Sequence, residues 1–334
     1  MRAAILLVAL ASCAAPTTRD GAPLGEERLP VDGYVESLTV APDGTRFAFV
    51  SAPGSRAVVF RSERAGEWRR MGHLDPSGHT VGAVFRADAG YALHAAVGAA
   101  SVLRTADGGA TWTEEALLRG RFVRLVEDAD GSLLALGSTE DRHGVVLRSR
   151  DGRRWESSVD FDADPPELVA ARAEFGGRSF LAGGGGGAGA LLASDDGRVF
   201  RRVDVGRVPN LLSIAFDAAG NGLAVGARGE VLRTIDGGAS WQPVLSNTDR
   251  DLASVLFVAP RRAYLCGIAG TVLATTDAGE TFRPVDVGRR EDFFRLVPSP
   301  DGGAWVVGAR GALPRLPEPA APSQQLAHES TGFP

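Results

Sequence analysis

Short apolar runs recur along this chain, each followed by a turn rich in Gly, Asp or Pro, and the elements they predict are strands. Leu38-Thr39-Val40 precedes Pro42-Asp43-Gly44, Leu125-Val126 precedes Asp128-Ala129-Asp130-Gly131, and Leu212-Ser213-Ile214-Ala215-Phe216 precedes Gly220-Asn221-Gly222. Runs bounded in this way read as hairpins. Within residues 226–245, Val231-Leu232-Arg233 ends one strand, Thr234-Ile235-Asp236-Gly237-Gly238-Ala239-Ser240 makes the turn, and Trp241 opens the next strand. An Asp early in such a loop accepts hydrogen bonds from the loop's own N–H groups. The paired glycines take a positive φ that costs other residues about 1–2 kcal/mol. This turn is an Asp box.

The box recurs at a fixed period. Its aromatic position is held by Trp68, Trp112, Trp155, Phe200, Trp241 and Phe282, at steps of 44, 43, 45, 41 and 41 residues, the size of a four-stranded propeller blade. Residues 105–112, 234–241 and 275–282 are well-formed boxes, residues 149–155 and 194–200 are one residue shorter, and residues 62–68 have lost the Asp. Asp107, Asp151, Asp196, Asp236 and Asp277 therefore read as turn formers, because an equivalent residue recurs unit after unit and a catalyst is needed once. The last unit, from Phe293 to Leu316, has three strands, and Glu27 to Val31 is the expected fourth, closing the ring as its outermost strand. Pro30 is tolerable there because an outer strand has one unpaired edge. The expected fold is all-β, a seven-bladed propeller of four-stranded antiparallel blades with Asp-box hairpins.

The two ends of the chain read differently. Ala3 to Ala11 is apolar and runs into Leu10-Ala11-Ser12-Cys13, which resembles a bacterial lipoprotein signal. The resemblance implies cleavage before Cys13 and a lipid on it; an ordinary secretory signal cut near Ala15 is the alternative. The apolar run is too short to span a bilayer. The expected organisation is a signal peptide over 1–12, a flexible tether over 13–25, the propeller over 26–316 and a disordered tail over 317–334. The protein is then lipid-anchored at the cell envelope, periplasmic or surface-exposed. Once Cys13 carries lipid, Cys266 has no partner and reads as a small core residue.

Composition narrows the function. The 334 residues are 44% hydrophobic and 23% charged, and the 43 glycines suit many turns. All 36 basic residues are Arg, and the net charge of −5, or −6 once Arg2 leaves with the signal, argues against nucleic acid as a partner. His73, His79, His94, His143 and His328 have no ligand spacing, so neither a metal site nor a cofactor is expected. Gly183 to Gly187 lacks the Lys-Ser/Thr of a phosphate loop and reads as a flexible loop between strands.

The units around Gly226 to Val244 and Gly267 to Val285 resemble the Asp-box propellers of the photosystem II stability/assembly factor family. That resemblance implies a non-catalytic, protein-binding assembly scaffold. Sialidases also carry Asp boxes, but they need an Arg-Ile-Pro motif and a Tyr nucleophile with a Glu partner. The nearest string here is Arg295-Leu296-Val297-Pro298, and Tyr34, Tyr91 and Tyr264 are the only tyrosines. A glycan-binding or sialidase/glycosidase-like surface protein is the alternative, and a carboxylate pair facing the channel would favour it. The expected binding face lies opposite the boxes. It carries Arg56, Arg142, His143, Arg228 and Arg310 on loops between second and third strands, and Arg250, Arg289 and Arg290 between blades. It is read as an Arg-lined mouth for an acidic protein or anionic polymer on a monomeric propeller, or as solvated loop charge.

Overall fold

The computed structural model describes residues 26–319 apart from 52–55, 65, 76, 77, 87, 163, 301, 309 and 318. Cys13, the tether and His328 lie outside the described residues. The strands form seven sheets, the blades of a seven-bladed propeller. The innermost strands of blades 1 to 7 are Tyr34–Val40, His79–Arg86, Arg121–Glu127, Leu168–Phe175, Leu211–Phe216, Leu252–Ala259 and Arg295–Pro298, and they pack against one another around a central channel. No helix among the described residues is long and apolar enough to cross a membrane.

Alternate residues of a strand face opposite sides of its sheet, so each blade packs on both neighbours. In blade 1, Phe47 and Phe49 enter the cluster shared with blade 2, while Ala48 and Val50 enter the one shared with blade 7. The apolar core is accordingly divided into seven clusters, each spanning one pair of adjacent blades. Cys266 is buried in the cluster between blades 6 and 7, and burial pushes its thiol pKa up.

Two details depart from the repeat pattern. Blade 4 has five strands, because Asp160–Phe161 in the linker from blade 3 pairs parallel to Val199–Arg202. A two-residue pairing to a free edge has no period to betray it. The glycine run is largely strand, since Arg178–Gly185 carries its ladder to the Gly185–Ala188 pair. Gly183 is needed there for space, as a Cβ on it would lie 2.0 Å from the Leu168 carbonyl oxygen. The expected tail begins packed on the ring, with the buried Tyr264 hydroxyl donating to the Pro317 carbonyl at 2.6 Å.

The ring closes where Glu26–Arg28 pairs antiparallel with Ala312–Leu316, Glu27 opposite Leu313; the strand is shorter than the expected Glu27 to Val31 and ends before Pro30, which has no N–H to extend the ladder. The Glu27 carboxylate accepts two bonds from Arg46 Nη1, both at 2.7 Å, and one from Gly66 N–H at 3.4 Å. Gly66 belongs to the box that has lost its Asp, so Glu27 brings to blade 1 a carboxylate from the closing strand. Arg46 is 4% exposed and lies 5.1 Å from the ring centroids of both Trp68 in blade 1 and Trp305 in blade 7. Its Nη2 donates to Ser62 Oγ at 2.8 Å and to the Arg64 carbonyl at 2.9 Å.

The intact boxes share one hydrogen-bond scheme. Asp236 accepts from Ser240 Oγ at 2.6 Å, Ser240 N–H at 2.9 Å and Thr234 Oγ1 at 2.7 Å. Asp107 has the same three bonds from Thr111 and Thr105, and Asp277 has them from Thr281 and Thr275. In the short boxes, Asp151 and Asp196 keep the bond from the first residue's hydroxyl, Ser149 or Ser194, and accept two consecutive backbone N–H groups in place of the other two. The second glycine of a full box also lets the turn meet the preceding blade. A Cβ on Gly238 would lie 2.3 Å from Phe180, and one on Gly279 would lie 2.4 Å from Leu223. These bonds hold Asp236 at about 2, through the Ser240 hydroxyl and N–H and the Thr234 hydroxyl, and Asp107 also at about 2.

Two outcomes are expected. Glu27→Ala leaves the Arg46 guanidinium buried without its carboxylate and should cost about 3–5 kcal/mol, seen as a lower midpoint in scanning calorimetry; adding Arg46→Met should recover part of the loss. Because the folded pKa of Asp236 is depressed, its contribution is complete above about pH 4 and is lost as pH falls toward about 2. Asp236→Ala should cost about 1–2 kcal/mol at neutral pH and make the acid limb of urea unfolding shallower.

Candidate functional site

Six of the innermost strands carry a bulge at the same place, after Val35, Thr80, Phe122, Val169, Leu211 and Leu252. A bulge re-aims the residues that follow it. The next ladder residues are Ser37, Gly82, Arg124, Ala171, Ser213 and Ser254, and Arg295 takes the same place in blade 7, opposite Val307. Small side chains suit this position because neighbouring strands meet there. Ser213 Oγ accepts from Val255 N–H and Ser254 Oγ from Leu296 N–H, at 3.3 and 3.2 Å. A Cβ on Gly82 would lie 2.8 Å from the Leu125 backbone. Arg124 and Arg295 are too long for that contact, and both line the central cavity instead.

The cavity, about 1410 Å³, opens on the face opposite the Asp boxes. Its acidic groups are engaged. Glu36 accepts from Thr80 N–H at 2.8 Å and from the Ser51 hydroxyl, with His79 Nδ1 at 3.3 Å. Glu291 pairs with Arg289 at 3.3 Å, and Asp292 accepts from Ala269 N–H at 2.8 Å. Its arginines divide. Arg56 pairs with Asp75 at 2.6 Å, whereas Arg121, Arg124 and Arg290 have neither a hydrogen-bonded nor an ion-pair partner among the described residues. Arg295 donates only to the Val81 carbonyl, at 3.0 Å. Arg124 and Arg295 touch the solvent of the channel yet are ringed by protein. Burial, and then the Arg295 charge, push Arg124 down to about 9; burial also lowers Arg295. Both remain cations at neutral pH. Val97 and Phe294, both exposed, add apolar surface beside them.

Of the arginines expected on this face, Arg56 and Arg290 line the cavity. Arg142 lines a smaller one of about 500 Å³ and pairs with Glu167. Arg289 is turned toward the closing strand, 2.8 Å from Glu26. Arg310 lies 5.0 Å from the Tyr34 ring centroid and donates to the Tyr34 hydroxyl at 2.9 and 3.0 Å. Arg228 N–H, at φ 59°, donates to Asp251 at 2.9 Å. Arg250 and His143 are exposed, and each donates its backbone N–H to a nearby threonine hydroxyl. Arg121, Arg124 and Arg295 are functional candidates that the motif reading passes over. For Arg124 and Arg295 the signal lay in the repeats themselves, where Arg stands at a position otherwise filled by Ser, Gly or Ala.

Three carboxylates, those of Glu36, Glu291 and Asp292, line the cavity, and each is hydrogen-bonded or ion-paired. Tyr34 lines it, but its hydroxyl is held by Arg310 and the Glu36 oxygens are bound elsewhere, so no Tyr–Glu pair forms. Tyr91 and Tyr264 donate to backbone carbonyls of Asp151 and Pro317. No group of three or more His, Cys, Asp or Glu among the described residues could hold a metal ion.

A family model described as photosynthesis system II assembly factor YCF48 matches residues 192–290, which take in blades 5 and 6. A search of curated proteins found no match. Among solved structures, YCF48 bound to a D1 peptide is similar with a TM-score of 0.69 and 18% identity, over 91% of this chain and 100% of that one. YCF48 from Cyanidioschyzon merolae is similar with a TM-score of 0.64 and 14% identity, over 88% of this chain and 98% of that one. The chain thus resembles the YCF48 propellers in fold along nearly all of its described length.

Proposed function

We propose that this propeller is a non-catalytic scaffold, lipid-anchored through Cys13 at the bacterial cell envelope, that binds an acidic segment of a protein client at the channel mouth. One observation carries the reading: the cavity gathers arginines without carboxylate partners while its own acids are engaged. Planar guanidinium forks suit bidentate contact with carboxylates. A mouth with more arginines than carboxylates also steers an acidic partner toward it. Val97 and Phe294 give such a segment apolar surface to bury beside its charges. The similar YCF48 structure bound to a D1 peptide supports a protein as the partner, and the matched assembly-factor model supports a role in assembly. The anchor rests on the Leu10 to Cys13 segment alone.

The test is affinity capture from crosslinked native membranes with wild type, Cys13→Ala and the pair Arg121→Glu with Arg290→Glu. A protein client captured by wild type should be lost with the charge-reversed pair, and Cys13→Ala should leave the membrane fraction. A client retained by the charge-reversed pair, or capture of cell-wall polysaccharide with no protein client, would defeat the scaffold reading. Unchanged membrane association of Cys13→Ala would defeat the anchor.

A further inference from the structure

Below the mouth, the same position on two inner strands places two guanidinium groups on the wall of one cavity. Arg124 comes from blade 3 and Arg295 from blade 7. Arg124 Nε is buried with no acceptor, and Arg295 spends one donor on the Val81 carbonyl. Glu36, an acid lining the same cavity, already accepts from Thr80 N–H and the Ser51 hydroxyl. Two like charges in one cavity repel, and an anion lodged between them offsets that repulsion while accepting from the donors that face the channel.

We propose that Arg124 and Arg295 form an oxyanion site inside the channel that takes a phosphate dianion, free or as a monoester, between their guanidinium groups. The charge argument selects the ligand. A dianion neutralises both cations, whereas acetate or chloride leaves one uncompensated. Phosphate oxygens also match the planar donor forks. Arg121 and Arg290 at the mouth draw anions inward. The site is separate from the client contact proposed at those two residues.

The full chain, purified in phosphate-free buffer, is titrated calorimetrically with inorganic phosphate, glycerol 3-phosphate or sodium acetate at matched ionic strength, and its thermal midpoint is followed alongside. Wild type should bind inorganic phosphate with a raised midpoint, acetate should do neither, and Arg124→Gln and Arg295→Gln should each weaken binding by about tenfold or more. Without phosphate, Arg124→Gln should melt no lower than wild type, because it removes one of two uncompensated charges and breaks no hydrogen bond. Binding of glycerol 3-phosphate as well would extend the site to esters. No response beyond acetate, or an equal phosphate response in wild type and both variants, would overturn the site. Client capture that survives such a failure would leave the scaffold reading standing, since that reading depends on Arg121 and Arg290.

Discussion

A ring of blades has no free ends only if its last interface is as good as the others, and here that interface depends on Arg46 and Glu27. Every blade buries both faces, so an open ring would leave two apolar faces in water at once. The cluster between blades 7 and 1 contains Leu29, Val35, Trp305 and Leu313, and Arg46 sits beside it against both indole rings, held by Glu27 from the strand that completes blade 7. A buried guanidinium is costly unless paired and hydrogen-bonded. That cost makes the pairing selective, since only the closed register brings Glu27 to Arg46. The same carboxylate approaches the one box that has no Asp of its own.

Away from the closure, the Asp boxes combine two functions in one short loop. The carboxylate gathers the turn's donors, and the glycine leaves the gap into which Phe180 or Leu223 of the preceding blade fits. A side chain there would push two blades apart, so the motif specifies an interface as well as a hairpin.

The channel reverses this economy. Where blades need small residues so that inner strands can touch, blades 3 and 7 carry arginine. A break in local consistency with no structural gain points to function, and the unpartnered Arg124 Nε is such a break. The surface arginines differ in kind. Arg289 and Arg310 spend their charge on Glu26 and on the Tyr34 hydroxyl, and each therefore helps hold the ring near its closure.

The sequence by itself determined the blade, the number of blades and the strand that closes them, because these follow from a period of about 43 residues and from strand alternation, both local and repeated. It also marked the face opposite the boxes, since hairpin connectivity alternates loops between two faces. Tertiary structure alone decided which arginines matter there. Arg124 and Arg295 read as ordinary inner-strand residues until the ring closes, when the same position on two inner strands brings both into one channel. The fifth strand of blade 4 and the pairing of Glu27 with Arg46 were likewise hidden, because each joins segments that no repeat relates. Periodic contacts are written in every unit, while contacts made once, between segments that no repeat relates, exist only when the chain is folded.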